Sequence, residues 1–513
     1  MKTNITTRTK LASLVLSVLA FVPLCNGATY TNTVEKVVDL NADINGGQAT
    51  PACRFTLIGT NLWFTTSKGS TTGFGTVSVF DPANSNVWTA VNFDNNTGKS
   101  PVNAALMIAD GKAWCTTTLG GAGNQGTLLS MDTNITYPNT VASWTTAYYF
   151  PTNSDALTNN NGLKPHSTPI QIGNKLWFTC TGGGVYSSSW GCIAAYDLIT
   201  GMETNMFSMD QTNYGRQPLG SSVVQVGDGY YYLMFNGGTN GLTTGTPNGA
   251  GVLGKITFDN LGTPSISTVC MLPGGFVSFP PCDVVPDGTN VVYFTCSGIS
   301  TNPGAIAKYD LVNKQLTTLF TFPTNALSVT NYGKQPYGTP VLYNNELYFT
   351  TLAGGTGGKG VLEKLSLADN TVTKLADFEG TIGKALGGSP QYGGGTVYTN
   401  PATGRVCIYF PINAGGVNLA LPAGCGTILR VNLQPQPIHT TITKPDTNNI
   451  TLTWTGGYQP FDVLTNSDLV SINATNWPAA TNGVTSPTGT GPWSVTLPVS
   501  GDATYYYIRG QAQ

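Results

Sequence analysis

The same two-strand phrase is written seven times along this chain. An aromatic-rich run such as Leu62-Trp63-Phe64-Thr65-Thr66 leads through a Gly-rich turn into a second run that ends in an aromatic-Asp pair, as in Val77-Ser78-Val79-Phe80-Asp81. The copies centre on Phe64, Cys115, Phe178, Leu233, Phe294, Phe349 and Phe410, at steps of 51 to 63 residues. About four short strands per repeat of this length is what a β-propeller blade requires. The pattern predicts an all-β chain built as a seven-bladed β-propeller.

Each unit reads as four strands. Asp110-Gly111, Asp228-Gly229, Asp287-Gly288 and Asn344-Asn345 supply tight turns between the first and second, because such dipeptides tolerate the positive φ of a hairpin. The third strand ends at Asp81, Asp132, Asp197, Asp259 or Asp310. The seventh unit stops at Asn432 without a fourth strand. Asn32-Thr33-Val34-Glu35-Lys36-Val37-Val38 matches Asn370-Thr371-Val372-Thr373-Lys374-Leu375-Ala376, the fourth strand of unit six. The N-terminal strand is therefore expected to complete the last blade and remove the open edge of the ring.

Residues 1–27 read as a signal peptide: a basic start, an apolar run over 11–24 too short to span a membrane, and small residues before Ala28. The propeller is assigned to 28–433, a Gln-Pro linker to 434–438, and a small fibronectin-like β-sandwich to 439–513, where four strand-like runs surround Trp454. The expected location is secreted or on the cell surface, without a lipid anchor. Only 9% of the residues are charged and the net charge is −2, which argues against nucleic acid and anionic membrane as partners.

The wording of the repeat, as in Glu346-Leu347-Tyr348-Phe349-Thr350-Thr351-Leu352-Ala353-Gly354-Gly355-Thr356-Gly357-Gly358-Lys359-Gly360-Val361, resembles the GloVer tandem repeat of secreted bacterial proteins. The similarity covers roughly residues 46–432. It implies a secreted propeller and transfers no catalytic residues, since that family is not defined by an activity.

Candidate chemistry lies where each unit begins. Gly98-Lys99-Ser100-Pro101, Leu163-Lys164-Pro165-His166, Gly215-Arg216-Gln217-Pro218, Gly333-Lys334-Gln335-Pro336 and Gly383-Lys384-Ala385-Leu386 place a cation there in five of seven units. Units one, near Gln48, and five, near Phe276, are the exceptions. Tyr214 and Tyr332 stand beside two of these cations, within hexapeptides that differ only at Arg216 and Lys334. Converging cations attract an anion, and arginine grips a carboxylate with two hydrogen bonds. Lys99, Lys164, His166, Tyr214, Arg216, Gln217, Tyr332, Lys334, Gln335 and Lys384 are thus the ligand-binding candidates, with Asp283 as an acidic counterpart to the ring. Repetition by descent, with lysine stems covering strands, is the competing reading.

The expected partner is an acidic polysaccharide or cell-surface component. A polysaccharide lyase using His166 or Tyr214 as base is the alternative, and a structural envelope or matrix protein the third. No catalytic residue is assigned. No paired carboxylates can be placed at glycosidase separation, and no zinc, calcium or dinucleotide motif is present, so neither metal nor cofactor is expected. Cys180 and Cys192 flank one Gly-rich turn and are the disulfide candidates; Cys407 and Cys425 flank another.

Overall fold

The computed structural model describes residues 32–513 apart from 41–52, 70–71, 103, 134–143, 153–160, 188, 240–248, 299–300, 326–331, 381–385, 392, 417–424, 434–438, 444–448, 456–460, 467–492, 499–504 and 511–513. The expected leader 1–27, the linker 434–438 and Lys384 lie outside them. Among the described residues every regular element is a β-strand.

Seven antiparallel sheets follow one another along the chain. The first consists of Thr56–Ile58, Asn61–Thr66, Thr76–Asp81 and Asn86–Asn92, hydrogen-bonded in that order. Blades two to six repeat this order over 107–149, 162–208, 224–271, 285–321 and 333–377. In blades three and six an additional segment, Gly162–Pro165 or Gly333–Pro336, pairs with the end of the second strand. The second and third strands are buried on both faces, which is why their apolar residues run continuously rather than alternate.

Blade seven contains Thr396–Thr399, Val406–Ile412 and Thr427–Asn432, and its fourth strand is Thr33–Asp39. Thr33 faces Asn432 and Asp39 faces Thr427. The likeness to the sixth blade extends to side chains. Lys36 Nζ lies 2.7 Å from Asp39 Oδ2, and Lys374 Nζ lies 2.8 Å from Asp377 Oδ2. A bulge falls after Lys36 as one falls after Lys374. Leu40 N donates to Gly426 O as Phe378 N donates to Gly360 O.

The core is divided among the seams. Among the described residues seven apolar clusters are present, and each joins two neighbouring blades. One of them joins blade seven to blade one, where the Phe80 and Tyr409 rings meet edge to face at 5.2 Å. The ring is therefore closed by packing as well as by hydrogen bonds. The strand-end aspartates are turn residues: Asp197 Oδ1 accepts from Ile199 N and Thr200 N, and Asp310 Oδ1 from Val312 N and Asn313 N. These bonds hold both carboxyls below their ordinary pKa.

Beyond the propeller, His439–Thr443, Asn449–Thr455 and Trp493–Pro498 form one sheet, and Phe461–Asn466 pairs with Tyr505–Gly510 in another. Trp454 is buried. No helix among the described residues is long and apolar enough to cross a membrane.

Candidate functional site

The innermost strands are stitched to one another by a belt of hydrogen bonds. Ala105 N donates to Thr168 Oγ1 (3.0 Å), Thr168 N to Ser222 Oγ (3.1 Å), Ser222 N to Asp283 Oδ1 (2.5 Å) and Asp283 N to Thr339 Oγ1 (3.0 Å). Each bond runs from one blade to the next. In blades three, four and five the residue before the belt position accepts from the second strand of its own blade: Ser167 Oγ from Thr179 N, Ser221 Oγ from Leu233 N, and Cys282 Sγ from Thr295 N. Cys53 Sγ accepts from Thr65 N in the same way, so Arg54 holds the belt position of blade one. Cys53 and Cys282 stand in for serine in this pattern.

Arg54 was not among the sequence candidates. Its Nη2 lies 3.9 Å from Asp283 Oδ2, which joins blade one to blade five across the ring. Asp283 is therefore the counterpart of Arg54 and of the belt, and the expected partnership with the lysine ring is corrected. The signal in the sequence was the Cys-Arg and Cys-Asp pairing of 53-54 with 282-283.

The lead-in segments also share a backbone geometry. Ser100, Lys164, Gln217, Phe279, Gln335 and Ser389 all have φ between 47° and 56°, and each precedes a proline. A non-glycine residue held there costs about 1–2 kcal/mol. The chain is held by bonds to the preceding blade: Lys164 N to Gln125 O (2.8 Å), Gln217 N to Trp190 O (2.8 Å) and Gln335 N to Pro303 O (2.6 Å). The following proline packs closely on the third strand's leading glycine in that preceding blade. A Cβ on Gly126, which has φ 103°, would fall 2.8 Å from Pro165 Cδ and 2.2 Å from Thr117 O.

This geometry corrects the register of the cationic ring. Lys99, Arg216 and Lys334 are equivalent, pairing with Leu119, Asn236 and Ala353. In blade three that place belongs to Leu163, opposite Gly182, and Lys164 is one residue further on, at the positive-φ position. In blade seven it belongs to Gly388, opposite Ala414. Positive φ turns Lys164 off the line of the other three cations. The proline, not the cation, marks the register: Lys99, Arg216 and Lys334 stand two residues before it, and Lys164 stands one.

The candidates differ in surroundings. Lys99 Nζ bonds Asn95 Oδ1 at 2.9 Å and lies 5.5 Å from the centre of the Phe74 ring. The Tyr332 ring tilts against Phe320 at 5.7 Å. Tyr214 packs on the apolar layer between blades three and four. Gln217 Oε1 accepts from Asn236 Nδ2 at 2.8 Å. Arg216 is half-buried; its Nε has no hydrogen-bond partner, and burial lowers its pKa. His166 is buried, its Nδ1 accepts from Gly220 N at 3.3 Å, and burial pulls its pKa down to about 4.

Two aromatic residues that the sequence reading passed over complete the picture at Arg216. The turn of blade three presents Tyr186, 60% exposed, with its ring 6.5 Å from that of Trp190. Trp190 is tied to the Arg216 segment through the Gln217 N bond. The cue was an aromatic pair inside a run of Gly and Ser, Gly182 to Trp190. Together these residues comprise an exposed aromatic ring, a half-buried guanidinium and a hydrogen-bonded carboxamide pair. Among the described residues no three His, Cys, Asp or Glu side chains gather as metal ligands would.

No family model matches the chain, and no curated protein matches it. Solved structures similar to it include TolB from Acinetobacter baumannii, 13% identical with a TM-score of 0.36 over 68% of this chain and 65% of that one. A puromycin hydrolase is 12% identical with a TM-score of 0.42 over 84% of this chain and 62% of that one. A puromycin-hydrolyzing peptidase of Mycobacterium tuberculosis is 9% identical with a TM-score of 0.40, over 83% and 62%. The chain thus spans less than two thirds of the length of each.

Proposed function

We propose that this chain is a secreted binding protein that holds an acidic polysaccharide on the face formed by its lead-in segments, with the blade three to four seam as the principal contact. The observation that carries the reading is the backbone bond from Gln217 N to Trp190 O, which ties the Arg216 segment to the turn that carries the exposed Tyr186. A sugar ring has an apolar C–H face that an aromatic ring can cover, and a uronate carboxylate suits the fork of a guanidinium. Lys99 and Lys334, at the equivalent place in blades two and six, extend the positive field along the polymer.

Binding is favoured over the lyase alternative by His166. A general base needs a free nitrogen within reach of substrate and a pKa near the working pH. Here Nδ1 is occupied and burial holds the ring neutral far below neutral pH. The leader over 1–27, the GloVer-like repeat wording and a fibronectin-like sandwich made from the two C-terminal sheets fit an exported protein with an attachment module.

The test is size-exclusion chromatography of the chain with acidic and neutral polysaccharides, following polymer size. Co-elution with an intact acidic polymer, lost in Trp190→Ala and Arg216→Gln, is the expected result. Shortening of the polymer would make the protein an enzyme, and absence of co-elution across the panel would favour a matrix role.

A further inference from the structure

Cys180 and Cys192 occupy a position whose use in the sibling blades can be read directly. They face each other at the end of the second and the start of the third strand of blade three. The equivalent opposed pairs are Thr66 and Thr76 in blade one and Thr117 and Thr127 in blade two. There the side chains touch, with Oγ1 atoms 2.9 and 2.8 Å apart. A glycine of the lead-in segment roofs the pair in both settings. A Cβ on Gly98 would fall 2.6 and 2.5 Å from the Thr117 and Thr127 hydroxyls. One on Gly162 would fall 2.7 and 3.2 Å from the sulfurs of Cys180 and Cys192. Both sulfurs, free thiols in this structure, are thus gathered under the same roof as the touching hydroxyls.

We infer that Cys180 and Cys192 form a disulfide, a covalent version of the threonine contact in blades one and two. Directly opposed residues on antiparallel strands have Cα atoms about 4.5–5.5 Å apart, inside the range of about 4.4–6.8 Å that a disulfide spans. The two thiols lose two protons and two electrons, forming one S–S bond. A low-molecular-weight disulfide such as oxidised glutathione accepts them and leaves as two thiols. Thiol–disulfide exchange completes the bond during folding, before both sulfurs are buried.

Neither Cys296, which holds the equivalent place in blade five, nor Cys407 has a cysteine opposite it. Cys296 faces Ala305, and Cys407 faces Asn432 on one side and Tyr398 on the other. Cys407 and Cys425, which flank another turn in sequence, lie at opposite ends of their strand pair: Cys407 faces Asn432, whereas Cys425 precedes its strand at the end where Thr427 faces Ile412.

The full chain is folded in glutathione redox buffer, denatured, alkylated without reduction and cut with trypsin. No Lys or Arg lies between Lys175 and Arg216, so both cysteines fall on peptide 176–216. The expected peptide carries no alkyl group and is two hydrogens lighter than its reduced form. Alkylation of both cysteines would overturn the assignment. The double variant Cys180→Thr/Cys192→Thr copies the sibling blades and is expected to melt at the same temperature with and without reductant, whereas the parent melts a few degrees lower when reduced. An equal fall in the variant would place the bond elsewhere and reject the pair.

Discussion

Asp283 binds the backbone of blade four and faces the guanidinium of blade one: its Oδ1 accepts from Ser222 N at 2.5 Å, and its Oδ2 lies 3.9 Å from Arg54 Nη2. The two contacts differ in weight. The carboxyl is 3% exposed and satisfies a buried N–H, whereas Arg54 is 44% exposed. Asp283→Ala is expected to cost about 1–3 kcal/mol by orphaning Ser222 N. Asp283→Asn keeps an acceptor and costs less, and Arg54→Gln changes stability by under about 1 kcal/mol. Urea unfolding of the three variants checks this ranking, and an Arg54 variant as damaged as Asp283→Ala would refute it.

Cations at the shared position should matter more to an acidic polymer than Lys164, which stands one residue out of line. Arg216→Gln removes charge-assisted hydrogen bonds of about 1.5–3 kcal/mol, which corresponds to a loss of about 10- to 100-fold in affinity. Lys334→Gln and Lys99→Gln are expected to weaken binding several-fold and to flatten its dependence on salt. Lys164→Gln should leave both nearly unchanged. Titration calorimetry at two ionic strengths separates these outcomes.

Glu363 gives the fold a pH dependence. It is fully buried where the other blades place Ser78, Leu129, Ala194, Gly254, Ala307 and Leu429. Oε1 accepts from Gly333 N, Oε2 has no partner, and burial raises its pKa from 4.5 to about 8. The folded state therefore holds a proton that the unfolded chain releases. This stability is complete below pH 4.5 and is lost as pH rises through about 8. Melting temperature is expected to fall across that window in the parent and to be flatter in Glu363→Gln.

The closing strand should be worth far more than its ion pair. Arg430 Nε donates to Glu35 Oε1 at 2.6 Å, but both side chains are over a third exposed, so Glu35→Ala is expected to cost under about 1 kcal/mol. Removing residues 33–39 exposes the Thr427–Asn432 edge and uncovers Val431 and Ile428. Aggregation on heating, followed by light scattering, is expected for the truncation and not for the point variant.

The sequence announced the blades because their buried strands repeat, and it announced closure because residues 32–38 copy 370–376. Side-chain register was harder to see. Lys164 and Arg216 look alike in sequence, yet Leu163 and Arg216 share a position, since one residue more or less before the proline reverses which side chain faces the lead-in line. The Arg54 contact was hidden because it spans blades far apart in the chain. Glu363 was legible only by comparison, as one acid among small or apolar siblings. Trp190 and Tyr186 stood in a loop, where repeat-based comparison has nothing to compare.

Pairing of the first strand with the last also orders events in time. Glu35 is among the first propeller residues to be synthesised, and its partner Arg430 follows 395 residues later. Until then the earliest strand has no edge to join, and six finished blades cannot form a ring. Contacts so distant in sequence make folding slow.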